Sequence, residues 1–489
     1  MKYILTIDEG TTSVRAILYN TQKNKFEKIE RRTFKQIFPK PAWVEHDAME
    51  IWQKAKECVL KVCEGINPKD IYGIGITNQR ETVVCWDSAT KKPLANAIVW
   101  QCRRTSKYCE QLKKSKTGKL IHSKTGLVPD AYFSATKIKW LIENNKDVKT
   151  SLKNGTLMVG TIESFLVYML TEGQVFVSDI TNASRTMLYN IKTLQWDKDL
   201  LKLFNIPLNI LPSVVDNDQI VGTTNILGAP IKIAGLIGDQ QSSLFGQGCF
   251  EKGTTKNTYG TGCFMLMNIG NKPIKSKHGL LTTIASKVRG KLTYALEGSV
   301  FNAGSVVNWA IDNLGIASSP DELTKMALSV DGTEGVYLVP AFTGLGTPYW
   351  DMSARAVICG MTRSTDKRHI ARAVLESMAF SSYDVLSTMQ KDTKAKIKEL
   401  HVDGGASENE QLMQFQCSLL QTTLKKYHQE STCLGSMFLT GLATGAYKNL
   451  SEIKTLLKEQ RFYKPNKTLQ DVLPQIKAWK SAVKKCLRK

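Results

Sequence analysis

No apolar run in this chain approaches the roughly 20 residues that a membrane-spanning helix needs. The longest candidate, Gly435 to Tyr447, is too short and carries Gly435, Gly441 and Gly445, the pattern of a closely packed buried helix. Metal and disulfide frameworks lack support too, because the 11 cysteines form no C-x-x-C pair and no histidines cluster at ligand spacing. The expected compartment is a reducing cytoplasm, since strand-like sequence from Tyr3 leaves no room for a basic, apolar, cleavable leader. Also missing are G-x-x-x-x-G-K-S/T, H-R-D and D-F-G, which argues against a P-loop enzyme and a protein kinase. Acidic residues are the minority charge: 44 Asp and Glu against 66 Lys and Arg give +22. The lysines are spread along the chain rather than gathered into a basic, aromatic-studded segment, so nucleic-acid binding is not expected. The excess does favour anionic substrates.

With 489 residues there is room for two or three domains. An apolar run from Tyr3 to Ile7 breaks into Asp8-Glu9-Gly10-Thr11-Thr12-Ser13 and resumes from Val14 to Tyr19. That pattern reads as strand, tight turn, strand. The turn combines a carboxylate, a glycine where backbone can approach a ligand, and three hydroxyls with free N–H groups, which suits a metal-bound phosphate chain. The same residue types also make ordinary polar hairpins.

Periodicity predicts a helix from Asp47 to Cys63 behind an Asp47–Glu50 capping box, strands over 71–77 and 82–86, a helix over 136–144, and a strand passing into a helix over 157–170. Strands alternating with helices point to an α/β fold. A second strand, turn, strand unit lies at 254–258, Tyr259-Gly260-Thr261-Gly262-Cys263 and 264–268. Two related α/β domains facing each other across a cleft are therefore expected, 1–248 and 249–489. Further on, a strand at 400–403 ends in Gly404-Gly405, and Ser407 to Glu410 is expected to cap a helix with Leu412, Phe415 and Leu419 inward. Another long helix is expected to open at Ser364 or Thr365.

Two segments offer chemistry. Arg80-Glu81, within GITNQRET (75–82), supplies donors and acceptors for a polyhydroxylated molecule, and Asp239, within GDQQ (238–241), has the chemistry to accept a hydroxyl proton. Taken alone, the first reads as a surface ion pair and the second as a helix N-cap.

The turns at Asp8–Thr12, Gly260–Gly262 and Gly404-Gly405 resemble the phosphate-binding turns of the actin, hexokinase and heat-shock chaperone ATPases, with ribonuclease H-like domains. Within that superfamily the sequence resembles the glycerol kinases of the FGGY carbohydrate kinase family from Asp8 to about residue 465. The segments that carry this are GITNQRET, NAIVWQCRR (96–104), TNASRTML (181–188), GDQQ, TYGTGCFMLMN (258–268), YALEGSVF (294–301) and VPAFTGLGTPYW (339–350). The resemblance implies a kinase that transfers phosphate from Mg-ATP to glycerol. It assigns the glycerol pocket to Arg80, Glu81, Trp100, Tyr132, Asp239, Gln240 and Phe264, with Asp239 as general base. Nucleotide contacts would come from Gly10, Thr11, Thr12, Ser13, Arg15, Gly260, Thr261, Gly304, Asn308, Gly404, Gly405 and Asn409. Asp8 would hold Mg²⁺ through water. A homodimer or homotetramer is likewise implied. The rival readings are an FGGY kinase for another polyol or ketose, and a non-catalytic ATP-switch protein.

Several positions depart from the family pattern. Glu9 stands where Gln is usual, and a second carboxylate beside a triphosphate would repel it. Glu163-Ser164 replaces Asp-Thr, placing a longer acid near the cleft. Glu410 stands where Asn is usual, and Ser431 to Met437 is bulkier than the family's adenine-side segment. Gly228-Ala229-Pro230-Ile231 is short and lacks the Arg used by some members to bind fructose 1,6-bisphosphate, and the chain lacks a His that others have phosphorylated. Neither control is expected.

Overall fold

The computed structural model describes residues 1–427, 430–457 and 461–487. Two mixed sheets organise it. The first has six strands in the spatial order Gly222–Thr224, Ile231–Gly238, Ile71–Asn78, Tyr3–Glu9, Ser13–Asn20 and Lys25–Thr33. The second has seven, in the order Leu281–Val288, Lys291–Val300, Cys263–Gly270, Thr255–Tyr259, Glu399–Asp403, Thr423–Lys426 and Arg461–Tyr463.

Each sheet contains the same local unit. Tyr3–Glu9 pairs antiparallel with Ser13–Asn20, placing Asp8 opposite Arg15, and parallel with Ile71–Asn78. In the second sheet Thr255–Tyr259 pairs antiparallel with Cys263–Gly270 and parallel with Glu399–Asp403. Ile4, Leu5 and Ile7 are all wholly buried, as expected for a central strand covered on both faces. In open α/β sheets ligands sit beyond the carboxyl ends of the strands. Here those ends deliver Gly10–Thr12, Gln79–Thr82 and Asp239-Gln240 from one sheet, and Gly260–Gly262 and Gly404-Gly405 from the other.

Helix boundaries follow their caps. Asp47 caps Ala48–Val62 through the N–H groups of Met49 and Glu50, but the Glu50 carboxylate accepts from the Lys35 N–H, so only half of the expected capping box forms. The long helix is Lys367–Thr393, opened by Asp366 with His369 closing the box, rather than by Ser364 or Thr365. Ser407 sits in a short 3-10 turn, and Asn409 caps Glu410–Leu420 two residues later than expected.

The glycine-bearing helix runs Ser431–Thr444 and lies across Asp239–Gly246 and the first sheet. A Cβ on Gly435 would meet the Ser242 carbonyl at 2.0 Å, and one on Gly246 would meet the Ser431 carbonyl at 1.9 Å. The two backbones touch there, which no other residue type allows. Gly441 packs against Tyr447, whereas Gly445 ends the helix in the left-handed region at φ 85°. No helix among the described residues is long and apolar enough to cross a membrane.

Candidate active site

A cleft of about 1650 Å³ is lined from the first sheet's side by Thr11, Thr12, Arg80, Trp100, Tyr132 and Asp239, and from the second's by Thr258, Gly260–Gly262, Phe264 and Asn302. Its volume exceeds the 300–1,000 Å³ or so that one small ligand occupies. Trp100 meets Tyr132 edge-on at 5.6 Å and Phe264 at 6.2 Å, giving an aromatic wall that joins Phe264 of the second sheet to two residues between the strand Ala97–Ile98 and the helix Ser134–Asn144. All seven expected pocket residues, Arg80, Glu81, Trp100, Tyr132, Asp239, Gln240 and Phe264, line this cleft.

Beneath the wall lies a buried ionic lattice. Arg80 donates to both oxygens of Glu297, at 2.7 and 3.1 Å, and to Gln241 and Tyr132, while its Nε lies 3.2 Å from Asp239. Arg185 donates to Glu81 at 2.6 Å and to Glu297 at 2.8 Å. Burial opposes the charge on Glu297, but Arg185 and Arg80 overcome it and hold its carboxyl at about 2. Glu81 takes the left-handed backbone at φ 63°, an uncommon state for a side chain of its size, and its carbonyl accepts from Ser134. Asp239 is the first residue of Asp239–Gly246, not its N-cap. Its Oδ1 accepts from the Gln240 N–H at 2.7 Å, and burial raises its pKa against the pull of Arg80 and Lys256.

The turns converge unevenly. The Gly304 N–H donates to Gly260 at 3.0 Å, and Gly404 at φ 88° packs directly on the Tyr259 backbone, so a side chain at either Gly304 or Gly404 would run into neighbouring backbone. Thr11, Thr12, Gly260 and Thr261 face the cleft, and Trp100 Nε1 donates to Thr11 Oγ1 at 3.0 Å. Gly10, Ser13, Arg15, Gly304, Asn308, Gly404, Gly405 and Asn409 lie outside its lining. Ser13 accepts from Arg31, Asn308 is exposed, and the Asn409 side chain caps its own helix and donates to Thr324. Arg15 is already engaged, donating to Asp8 and, at 2.6 Å, to Glu430. The bonds from Arg15 and Cys433 both fall on Asp8 Oδ2. Among the described residues no bond falls on Oδ1, the atom a hydrated cation would meet, but Asp8 is 6% exposed and also stands outside the cleft lining.

The unusual acids behave differently from expectation. Glu9 is wholly buried beneath the turn, with Oε1 accepting from Gln79 at 2.6 Å and Oε2 left without a partner. Burial pushes its pKa well up, and its side chain meets Gln79 and stands outside the cleft lining. Glu163 is buried away from the cleft, accepting from the Asp179 N–H, Ser178 and Thr161. Glu410 is exposed and paired with Arg461.

Models of the FGGY family of carbohydrate kinases match residues 3–246 with the N-terminal domain and 255–444 with the C-terminal domain. The chain belongs to this family. Relatives include the glycerol kinase of Francisella philomiragia, 50% identical over 99% of both chains, and that of Francisella tularensis subsp. novicida, 50% identical over 99% of this chain and 98% of the other. Among solved structures, Plasmodium falciparum glycerol kinase with ADP superposes with a TM-score of 0.93 at 36% identity, covering 100% of this chain and 99% of the other. A ligand-bound xylulose kinase from Lactobacillus acidophilus reaches 0.89 at 25% identity over 99% and 97%. The molecule thus has the two-domain α/β architecture of FGGY kinases.

Sequence reasoning assigned no role to Arg185, Glu297 or Lys256. The first two sit in TNASRTML and YALEGSVF, segments that carried the resemblance. What hid them is that their partners are 104 to 217 residues away in sequence.

Proposed function

We propose that this FGGY kinase transfers the γ-phosphoryl group of ATP to glycerol, forming sn-glycerol 3-phosphate and ADP. The observation that carries the reading is Asp239: a carboxylate at a strand end, 28% exposed, beside Arg80 and Gln240 and opposite the Gly260–Gly262 turn. Glycerol's hydroxyls would bond with Arg80, Glu81, Tyr132 and Gln240 while its carbon edge lies on Trp100 and Phe264. Such a site rejects analogues that leave its buried polar atoms unpaired.

Asp239 would take the proton of the attacking hydroxyl. The Thr11-Thr12 and Gly260-Thr261 turns would hold the phosphates, with Gly10, Ser13, Arg15, Gly304, Asn308, Gly404, Gly405 and Asn409 supporting or extending that site toward the nucleoside. Mg²⁺, held through water by Asp8, would supply charge neutralisation on the phosphates. The proposed division of the chain is 1–248 and 249–489, each half contributing one sheet. A cytoplasmic homodimer or homotetramer completes the reading. No inhibition by fructose 1,6-bisphosphate is expected, because the segment Gly228–Ile231 offers no arginine.

The test is ADP release measured with glycerol, dihydroxyacetone, xylulose and no acceptor. Glycerol should give by far the highest kcat/KM. Preference for xylulose, or equal ADP release without acceptor, overturns the assignment.

A further inference from the structure

Lys256 stands on the strand Thr255–Tyr259 with its side chain wholly buried. Its ammonium donates to Gln240 Oε1 at 2.5 Å and to Thr258 Oγ1 at 2.9 Å. An amide has an acceptor on one side and a donor on the other. Because Lys256 occupies the acceptor, the Gln240 NH₂ is turned the other way, and it lies 3.3 Å from Asp239 Oδ2. A relay therefore runs from Lys256 through Gln240 to Asp239.

Charge accounting singles out the same residue. The charged groups that face Lys256 are Asp403, Asp239, Arg80 and Glu297. Arg80, 3.2 Å from Asp239, pulls on it more strongly than Lys256 does, but Arg80 also makes two bonds to Glu297, which takes Arg185 as well. Asp403 accepts from Ser431 and Ser243 and leaves Oδ1 unpartnered. Asp239 feels Arg80 and Lys256 as its cations. Burial draws Lys256 down to about 8, with Asp403 and Asp239 pulling against it.

We propose that Lys256 is a positioning residue for phosphoryl transfer, holding the Gln240 NH₂ toward Asp239 and adding to Arg80 a second positive charge that favours the carboxylate form of Asp239, the form that can take a hydroxyl proton. This rests on Asp239 being the base for glycerol, as argued above.

Two variants separate bond from charge. Lys256→Gln retains an N–H donor for Gln240 but removes the charge, and Lys256→Arg retains the charge. The readout is the pH profile of glycerol kcat/KM. In Lys256→Gln the acid limb should move to higher pH by about one unit, because an opposite charge that lowered the Asp239 pKa has gone. In Lys256→Arg it should stay within a few tenths of a unit of the native position. An unmoved limb in Lys256→Gln, or an equal displacement in both variants, overturns the proposal. Should Lys256→Gln not fold, a displaced limb in Lys256→Arg overturns it alone. Native protein without glycerol-dependent turnover would instead overturn the function itself, so the two failures are distinct.

Discussion

Arg80 and Glu297, 217 positions apart, form a two-pronged ion pair at 2.7 and 3.1 Å between the two sheets, with 1% and 0% of their side chains exposed. Such a pair is a poor source of net stability, yet breaking it is severe because it leaves buried charge uncompensated. Here Glu297 serves two cations, so its loss leaves the two buried guanidiniums with only Asp239 and Glu81 as carboxylate partners.

Glu297→Gln should therefore cost about 3–5 kcal/mol of unfolding free energy, measured in urea at neutral pH. Its folded carboxyl sits at about 2, below its ordinary value of 4.5, so its contribution is complete above 4.5 and is lost as pH falls through about 2. Stability near that of the native protein at pH 7 would show that the lattice relaxes around the change.

Asp239→Asn should lower kcat by roughly 10² to 10⁴ while leaving the glycerol KM within a few-fold. The side chain keeps its shape and an acceptor for the Gln240 N–H, so binding geometry survives and proton acceptance does not. Turnover within tenfold of native would remove Asp239 from the role of base.

Glu9→Gln should leave the ATP KM within about twofold. The native side chain is wholly buried, bonded to Gln79 and outside the cleft lining, so there is little repulsion toward phosphate to be relieved. Raised above 4.5 by burial, Glu9 favours the folded state below that pH and less so as pH climbs through its folded value. The variant should consequently lose less stability between pH 5 and pH 8 than the native protein does. Several-fold tighter ATP would mean that the carboxylate turns outward and ionises.

Gly435→Ala should destabilise by about 1–3 kcal/mol or prevent folding, since the new methyl meets a carbonyl oxygen rather than a yielding side chain. Thermal unfolding and soluble yield check this. Native stability would mean that the helices separate at little cost.

Much of this site was readable in sequence because its residues fall at strand ends, where periodicity stops and polar side chains begin. Arg80-Glu81, Asp239-Gln240 and Gly260–Gly262 are local signals of that kind. Glu9 shows the limit. Its place in an acidic turn suggested exposure beside phosphate, but alternation along Tyr3–Glu9 turns it inward toward Gln79, a contact 70 positions away. Asn409 shows another: its side chain serves as a helix cap, a role that depends on where the 3-10 turn 405–408 ends. Lys256 looked like one more solvated lysine because the acids that keep it charged come from other elements.

The helix Ser431–Thr444 covers the sheet that starts at Tyr3, although the strand Arg461–Tyr463 after it belongs to the other sheet. The polypeptide therefore passes between the two halves more than once, first at 247–254 and again on either side of that helix. The halves are thus joined at several points of the chain, where a single tether would join them once. A cut at 248 would not yield two self-sufficient halves, because the first sheet would lose the covering of a helix encoded nearly two hundred codons downstream.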